Sequence, residues 1–359
     1  MVPSPAIDVS TSTFGARLSA VAAVSATDIW AVGFAPVPGG PAYAEQTLIE
    51  HWDGTQWSIV PSPNPPSTYP KVELDSVFAL ASNDVWAVGF ADNPSGVVSP
   101  FDITLIEHWD GTQWSLVPSP NPDPVSNELR SISGVASNDL WAVGERGAGA
   151  GDTCCPLLPL IEHWDGTSWS VVPNPGLAAG LFGVTALSAT DAWAVGFNPS
   201  PVRSGDIIMH WDGTAWTNVA APEEDANGDP FLLRAVTAVS ATDVWAVGYL
   251  VDAQNNAYYS VTEHWDGTAW TLINLSIMDT VLNGVAASGP ADAWAVDGSG
   301  LMQQQHWDGA TWSVVSAPDL GNGSSLEGVV AISSGNVWAV GLTNTNGAIT
   351  PLIEHFTQA

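Results

Sequence analysis

The sequence has few basic residues. Lys and Arg together number 6, against 37 Asp and Glu, and the formal net charge at pH 7 is −31. Binding to nucleic-acid phosphates requires clustered positive charge, so this composition excludes nucleic acid as a partner. Low basic content with many acids is typical of secreted, acid-tolerant or salt-adapted proteins. This composition favours an extracellular or cell-surface location, but it does not distinguish among these three classes of protein.

Long apolar runs are also missing. No stretch reaches the roughly 20 residues that a transmembrane helix needs, so we expect no membrane insertion. The first residues, MVPSP, do not resemble a signal peptide. No segment has the period of a long amphipathic helix, which favours an all-β chain.

Cysteine is scarce too. The two Cys are neighbours, Cys154 and Cys155, within the loop sequence GAGAGDTCCPLLP. Three interpretations stay open: free thiols, a strained disulfide between neighbours, or a metal site.

What the chain does contain is a repeat. Three motifs alternate in seven copies each, and their spacing of about 40 to 50 residues is that of a repeat array. The first motif is a Leu-containing, β-branched run such as RLSAVAAVS. The second is WAVG preceded by Asp or Asn, and the third is LIEHWDGTQWS with its variants.

Each unit reads as four short strands, A to D. Strand A is the first motif, strand B is WAVG, strand C ends in HW, and Asp-Gly forms a hairpin turn into strand D. Four-stranded units repeated radially predict a seven-bladed β-propeller with antiparallel blades, and we expect one domain over residues 1–359. Only six copies of strand D follow strand C. The N-terminal VPSP matches the end of strand D, so we expect this segment to close the last blade; a blade left incomplete is the alternative.

The chemically conspicuous residues belong to the repeat. All 7 His lie in strand C, and all 19 Trp lie in strand B, at the end of strand C or at the start of strand D. Strand C is third from the ring axis, so the His residues cannot converge on one metal ion. We therefore interpret the His residues as structural hydrogen-bonding groups and the Trp residues as core.

These motifs resemble the kelch repeat: W-A-V-G followed by H-W-D-G-T-x-W recurs in the first five units, and the sixth and seventh carry degenerate copies. The hairpin is also similar to an Asp-box. The sequence departs from the kelch pattern by having one Gly after strand B instead of two, and Asp297 replaces even that Gly in the sixth unit. The resemblance implies a propeller that serves as a binding platform, although some kelch-like propellers are oxidase domains.

Variation among the repeats points to a functional face. The A–B and C–D turns are short and nearly constant, whereas the B–C and D–A loops vary widely; in a propeller these two sets open on opposite faces. Binding residues usually lie on variable loops. All 6 basic residues also lie on the variable side, in loops, at strand starts or near the N-terminus.

One column within strand A differs between blades while its neighbours stay nearly constant. Because strand A is innermost, we expect this column to surround the channel mouth on the variable face. There it predicts a ligand site in which Arg130 and Arg234 pair with anions, with Asp75 and Glu327 opposite. The column consists of Ser19, Asp75, Arg130, Phe182, Arg234, Asn283 and Glu327.

A weaker signal lies in EEDANGDP, where Asp225, Asn227 and Asp229 alternate like the oxygen ligands of a calcium loop. Gly228 stands two places early for an EF-hand. Calcium is thus a candidate metal, and no other cofactor is indicated.

Three functions follow from these observations. The first is a non-enzymatic, monomeric binding scaffold that holds a protein or carbohydrate ligand at the channel mouth. The second is a propeller hydrolase, lyase or oxidase with its site at the same mouth. The third is a structural cell-surface protein, one segment of a longer array. The sequence contains no nucleophile elbow and no His outside the repeat, which favours the first.

Overall fold

The computed structural model describes most of the chain. The described residues are 1–10, 12–65, 71–92, 102–147, 157–200, 203–222, 224, 227–252, 254–255, 257–274, 277–316 and 323–357. Over these ranges the protein is all-β and contains no helix that could span a membrane.

Seven antiparallel sheets follow one another along the chain, six with four strands and one with three. Strands A are β1 (Arg17–Ser25), β5 (Val72–Ala81), β9 (Asn127–Ala136), β13 (Gly180–Ser188), β17 (Phe231–Ser240), β21 (Leu282–Gly289) and β25 (Ser325–Ser333). Strands B are β2 (Asp28–Pro36), β6 (Asp84–Asp92), β10 (Asp139–Arg146), β14 (Asp191–Ser200), β18 (Asp243–Asp252), β22 (Asp292–Asp297) and β26 (Asn336–Thr345).

The outer half of each blade is formed by strands C and D. Strands C are β3 (Glu45–Trp52), β7 (Asp102–Trp109), β11 (Leu158–Trp164), β15 (Arg203–Trp211), β19 (Ala257–Trp265), β23 (Gln303–Trp307) and β27 (Ala348–Phe356). Strands D are β4 (Trp57–Ile59), β8 (Trp114–Leu116), β12 (Trp169–Val171), β16 (Trp216–Asn218), β20 (Trp270–Asn274) and β24 (Trp312–Ser316).

The sheets form a closed ring. Each strand A packs against strand A of the next blade, and β25 packs against β1. This confirms the predicted seven-bladed β-propeller. The last blade lacks a fourth strand of its own, but the N–H of Val2 donates to the carbonyl of Ile353 at 2.9 Å. The equivalent bond in the first blade joins Val60 to Ile49 at the same distance, so the N-terminal segment closes the ring as expected.

The blades are held together by Trp clusters. In each of five neighbouring pairs, from blades 1 and 2 to blades 5 and 6, the strand B Trp of one blade contacts two Trp of the next. Trp30, for example, lies 5.1 Å from Trp109 and 5.5 Å from Trp114 between ring centroids. Trp338 of blade 7 makes the same contacts with blade 1. Between blades 6 and 7, Phe356 stacks on Trp294 instead. The Trp of strands B and all but one Trp of strands D are buried in the core, as predicted, whereas the Trp at the ends of strands C are partly buried and pack against it.

Candidate functional site

Each of the repeated His residues forms a hydrogen bond between two strands of its own blade. His108 Nε2 lies 2.9 Å from Asp84 Oδ1, which also accepts the Nε1–H of Trp86 at 2.8 Å. The imidazole of His108 packs on the indole of Trp86, with ring centroids 4.2 Å apart. Since a carboxylate oxygen only accepts, the His must carry its proton on Nε2.

The same contact occurs in every blade, with His-to-partner distances from 2.7 to 2.9 Å. In blade 7 the partner of His355 is Asn336 rather than Asp. A neutral amide oxygen therefore substitutes for the carboxylate, and a charged His is not required. These contacts support a structural role for the seven His residues.

The Glu that precedes this His is a buried carboxyl. Burial raises the pKa of Glu107 to about 8 and that of Glu162 to about 8, although serine hydroxyls from the preceding blade partly oppose the rise. At the same position blade 4 has Met209 and blade 6 has Gln305, both neutral and fully buried. The position thus accepts uncharged side chains, which agrees with a Glu that is protonated at neutral pH.

The predicted mouth column consists of β-bulge residues. In every strand A the pairing to strand B skips a residue at two points, once next to the A–B turn and once further along the strand, in blade 1 between Leu18 and Ala20. The residues skipped at the point further from the turn are Ser19, Asp75, Arg130, Phe182, Arg234, Asn283 and Glu327. A bulge residue leaves the ladder and its side chain is redirected, which explains how one position per blade reaches the axis.

The bulge explains the Gly of WAVG as well. A Cβ on Gly33 would overlap the carbonyl oxygen of Arg17, because the bulge brings strand A close to strand B. In blade 6 the position of this Gly is occupied by Asp297, the last residue of strand B. The carboxylate of Asp297 accepts the N–H groups of Ser299 at 2.7 Å and Gln303 at 3.0 Å.

All seven mouth residues line one cavity of about 350 Å³, as the sequence predicted. Arg17, which the sequence analysis did not include, also lines it. Below the cavity, a narrower space of about 170 Å³ continues along the axis between the strands A. Their role in binding a ligand stays a prediction.

Arg130 is already neutralised within the protein. Its guanidinium donates to Asp75 Oδ2 and to Glu145 Oε1, both at 2.9 Å, and to Glu128 Oε2. It also lies over the ring of Phe90. The expectation that Arg130 pairs with a ligand anion, with Asp75 opposite, therefore does not fit this arrangement: Asp75 is the direct partner of Arg130.

Arg234 differs from Arg130. Its guanidinium carbon lies 5.3 Å from the ring centroid of Tyr249, and no carboxylate of the described chain forms an ion pair with it. Its Nε is buried without a hydrogen-bond partner. Arg234 is thus the cation at the mouth whose charge is left uncompensated by neighbouring acids.

Two other mouth residues have unused hydrogen-bonding atoms. Ser19 Oγ and Asn283 Oδ1 are buried and find no partner within the described protein. Asn283 does use its amide nitrogen, which donates to Glu327 Oε2 at 2.7 Å. Phe182 supplies an apolar wall, stacked on Phe197 with ring centroids 5.0 Å apart. The cavity therefore offers one cation, two polar atoms and one aromatic surface.

The calcium candidate is only partly described. Asp225 lies outside the described residues, as do Cys154 and Cys155. Asn227 and Asp229 are described, and both make interactions within the protein. Among the residues whose placement the structure describes, no group of three or more His, Cys, Asp or Glu could hold a metal ion. The calcium prediction stays a prediction.

Comparison with known proteins identifies the fold. No known protein family matches the chain by sequence, and no curated protein matches it. Among solved structures, the chain is similar to YCF48 bound to D1 peptide, with a TM-score of 0.58, 13% identity and 100% of both chains covered. For YCF48 from Cyanidioschyzon merolae the TM-score is 0.59 at 13% identity, covering 96% of each chain.

An enzyme is also among the similar structures. A polysaccharide lyase, an ulvan lyase bound to a saccharide, has a TM-score of 0.58 and 9% identity over 99% of this chain and 94% of its own. At such low identities the likeness establishes the propeller fold alone.

Proposed function

We propose that the chain, as one propeller domain over residues 1–359, is a non-enzymatic binding scaffold that holds its ligand at the channel mouth. The observation that carries this proposal is the convergence of seven bulge side chains on one cavity of about 350 Å³. This volume lies within the range of small-molecule sites, which is about 300–1,000 Å³. The cavity also suits a single side chain or chain terminus of a larger partner.

The ligand group that fits the mouth is a carboxylate. Arg234 supplies a positive charge that no described acid cancels, and Ser19 can donate its hydroxyl to the same anion. A charge-assisted hydrogen bond of this kind is about twice as strong as a neutral one. Asn283 Oδ1 can accept an N–H or O–H next to the carboxylate, as found at a peptide C-terminus.

A protein ligand is favoured over a carbohydrate. The kelch-like motif is that of a binding platform, and one similar propeller, YCF48, is bound to a peptide. Among the described residues that line the mouth there is no open row of aromatic rings on which sugars usually stack: the one aromatic residue there is Phe182, and it is already stacked on Phe197.

The test is a titration of the protein with short peptides that differ only in a free or amidated C-terminus. We expect the free carboxylate to bind and Arg234→Gln to abolish this binding without lowering the melting temperature. Arg146→Gln is the matched control, because Arg146 lies on the same face outside the mouth cavity. Equal binding of both peptides, or unchanged binding by the Arg234 variant, would contradict the proposal.

The second candidate is an enzyme at the same mouth, a hydrolase, lyase or oxidase. It is favoured by the lyase among the similar propellers and by Asp75, whose pKa is raised by burial and by Glu73, against the opposing effect of Arg130. Turnover of acidic polysaccharides that is lost in Asp75→Asn would support this function. Absence of turnover together with peptide binding would support the scaffold.

A further inference from the structure

A second cavity lies off the axis on the variable face, between blades 1 and 2. Its volume is about 400 Å³. Three aromatic rings contribute to its walls: Phe34 is buried, whereas Phe14 is 49% exposed and Tyr43 is 47% exposed. Large exposed aromatic side chains beside a cavity are typical of a binding surface.

The polar part of this cavity is acidic. Glu45, Glu73 and Asp92 line it. Glu45 is only 6% exposed, and its electrostatic neighbours Lys71 and Arg17 favour its charged form. Asp92 uses Oδ2 to accept the N–H of Lys71 at 3.2 Å, but its Oδ1 is buried without a partner. A buried carboxylate oxygen left without a donor is costly, so Asp92 favours a ligand that donates, and Glu45 adds a second carboxyl to the same cavity.

The two basic residues of the cavity contact side chains other than Glu45 and Asp92. Arg17 donates to Glu73 and lies over the ring of Phe34, with its guanidinium carbon 5.1 Å from the ring centroid. The amino group of Lys71 lies 4.6 Å from the ring centroid of Phe90. Neither cation forms a side-chain ion pair with Glu45 or Asp92 among the described residues.

We propose that this cavity binds an organic cation, an ammonium or guanidinium group on a short alkyl chain such as that of a lysine or arginine side chain. Glu45 and Asp92 accept its N–H groups. The rings of Phe14 and Tyr43 cover the alkyl chain and attract the charge through their π faces. This site is separate from the carboxylate site at the mouth, although Arg17 lies in the wall of both cavities.

Binding of a cation here is coupled to pH. Burial raises the pKa of Glu45 to about 7, with further increases from Glu73 and Asp92 and decreases from Lys71 and Arg17. Below this pH Glu45 is neutral and attracts a cation weakly. Affinity should therefore rise between pH 5.5 and pH 8, and binding near neutral pH should release a proton.

The experiment is a titration of the whole protein with n-butylguanidinium, n-butylammonium and n-butanol, followed by ligand-observed NMR at pH 5.5 and pH 8. We expect both cations to bind more tightly at pH 8 and the neutral alcohol not to bind. Glu45→Gln should weaken cation binding about tenfold and remove its pH dependence. Glu224→Gln, at an exposed acid elsewhere, should leave both unchanged.

A second pair of variants tests the aromatic wall. Tyr43→Ala should weaken cation binding about threefold, as expected for an exposed cation–π contact. Tyr258→Ala is the matched control, because Tyr258 is similarly exposed at 45% but lies in blade 5. Equal binding of butanol and the cations, or equal effects of Glu45→Gln and Glu224→Gln, would overturn the proposal. Arg234→Gln should leave cation binding intact, which separates this site from the carboxylate site at the mouth.

Discussion

Ser4 Oγ donates to Glu50 Oε1 at 2.7 Å, across the seam between the N-terminal segment and blade 1. Glu50 is fully buried, and burial raises its pKa to about 7 despite this bond. In the next two blades the hydroxyls of Ser62 and Ser119 likewise lower the pKa of Glu107 and of Glu162, against the larger effect of burial. The N-terminal segment thus reproduces the contact made by a strand D tail, in addition to the backbone bond from Val2 to Ile353.

Removing this hydroxyl should weaken the seam. Ser4→Ala leaves a buried carboxyl without its donor, so we expect the free energy of unfolding to fall by about 1–3 kcal/mol. Urea unfolding followed by Trp fluorescence measures the change. Ser58→Ala, at an exposed position of strand D, is the control and should have no effect. A Ser4→Ala protein as stable as wild type would show that this hydroxyl does not contribute to closure.

The hydrogen bonds of the repeated His residues should depend on an acceptor oxygen and not on a charge. Asp84→Asn keeps an oxygen for Trp86 and His108, as Asn336 does for Trp338 and His355. We expect this variant to unfold at nearly the wild-type urea concentration. Asp84→Ala removes the acceptor from two buried N–H groups and should cost about 1–3 kcal/mol of unfolding free energy. Equal losses in both variants would point to an ion pair instead.

Stability should have a maximum in mildly acidic solution. The pKa of Glu107 is about 8 in the fold, against 4.5 for the free side chain, so the folded protein binds more protons between these values and loses stability as pH rises through them. Each unit of such a shift corresponds to about 1.4 kcal/mol. We expect Glu107→Gln to resemble wild type at pH 5 and to be more stable at pH 9, as measured by melting temperature.

The loss of stability at low pH has the opposite cause, a carboxyl whose pKa is lowered in the fold. The turn carboxylate of Asp53 accepts N–H bonds from Thr55 and Gln56 at 2.8 and 2.9 Å. The Thr55 hydroxyl and these N–H groups lower the pKa of Asp53 to about 2, from 3.8. Stability from this group is complete above pH 3.8 and is lost as pH falls through 2. Glu107→Gln should not alter this lower limit, whereas a shift of both limits would contradict the assignment.

Arg130 should matter for stability rather than for ligand binding. Arg130→Ala leaves Asp75, Glu128 and Glu145 close together without their shared cation, so we expect a loss of about 3–5 kcal/mol of unfolding free energy. The loss should shrink as pH falls and Asp75 becomes protonated, because burial and Glu73 raise the pKa of its carboxyl. Arg234→Gln, at the same column, should unfold like wild type. Equal stability of both variants would contradict the different roles assigned to the two residues.

The fold could be predicted from the sequence because the repeat supplies the same information seven times. The Asp-Gly turns, the strand-length motifs and the VPSP segment at Val2 were sufficient to predict blade number and closure. The mouth column could be found as well, since Asp75 and its counterparts vary between nearly constant neighbours. The β-bulge that all seven residues of the column share has no sequence signal beyond the strand B Gly.

Other features depend on contacts between blades, which a repeat pattern does not specify. The pairing of Arg130 with Glu145 joins strand A to strand B, and its pairing with Asp75 joins two blades. Because Arg130 and Asp75 occupy the same column in different repeats, the sequence predicts Arg130 as an anion-pairing group with Asp75 opposite, and it gives no sign of Glu145. The cavity that contains Glu45 was not predicted either, since its walls come from the N-terminal segment and two blades.

The bulge has a consequence for how such a protein can diversify. Since each mouth side chain leaves the hydrogen-bonded ladder, exchanging it disturbs neither the register of its sheet nor the Trp clusters at the rim. Phe182 and Asn283 already occupy equivalent places with unrelated chemistry. The column can therefore change its chemistry by point substitution at positions such as Phe182 and Asn283, whereas Arg130 and Asp75 are tied to each other by their ion pair.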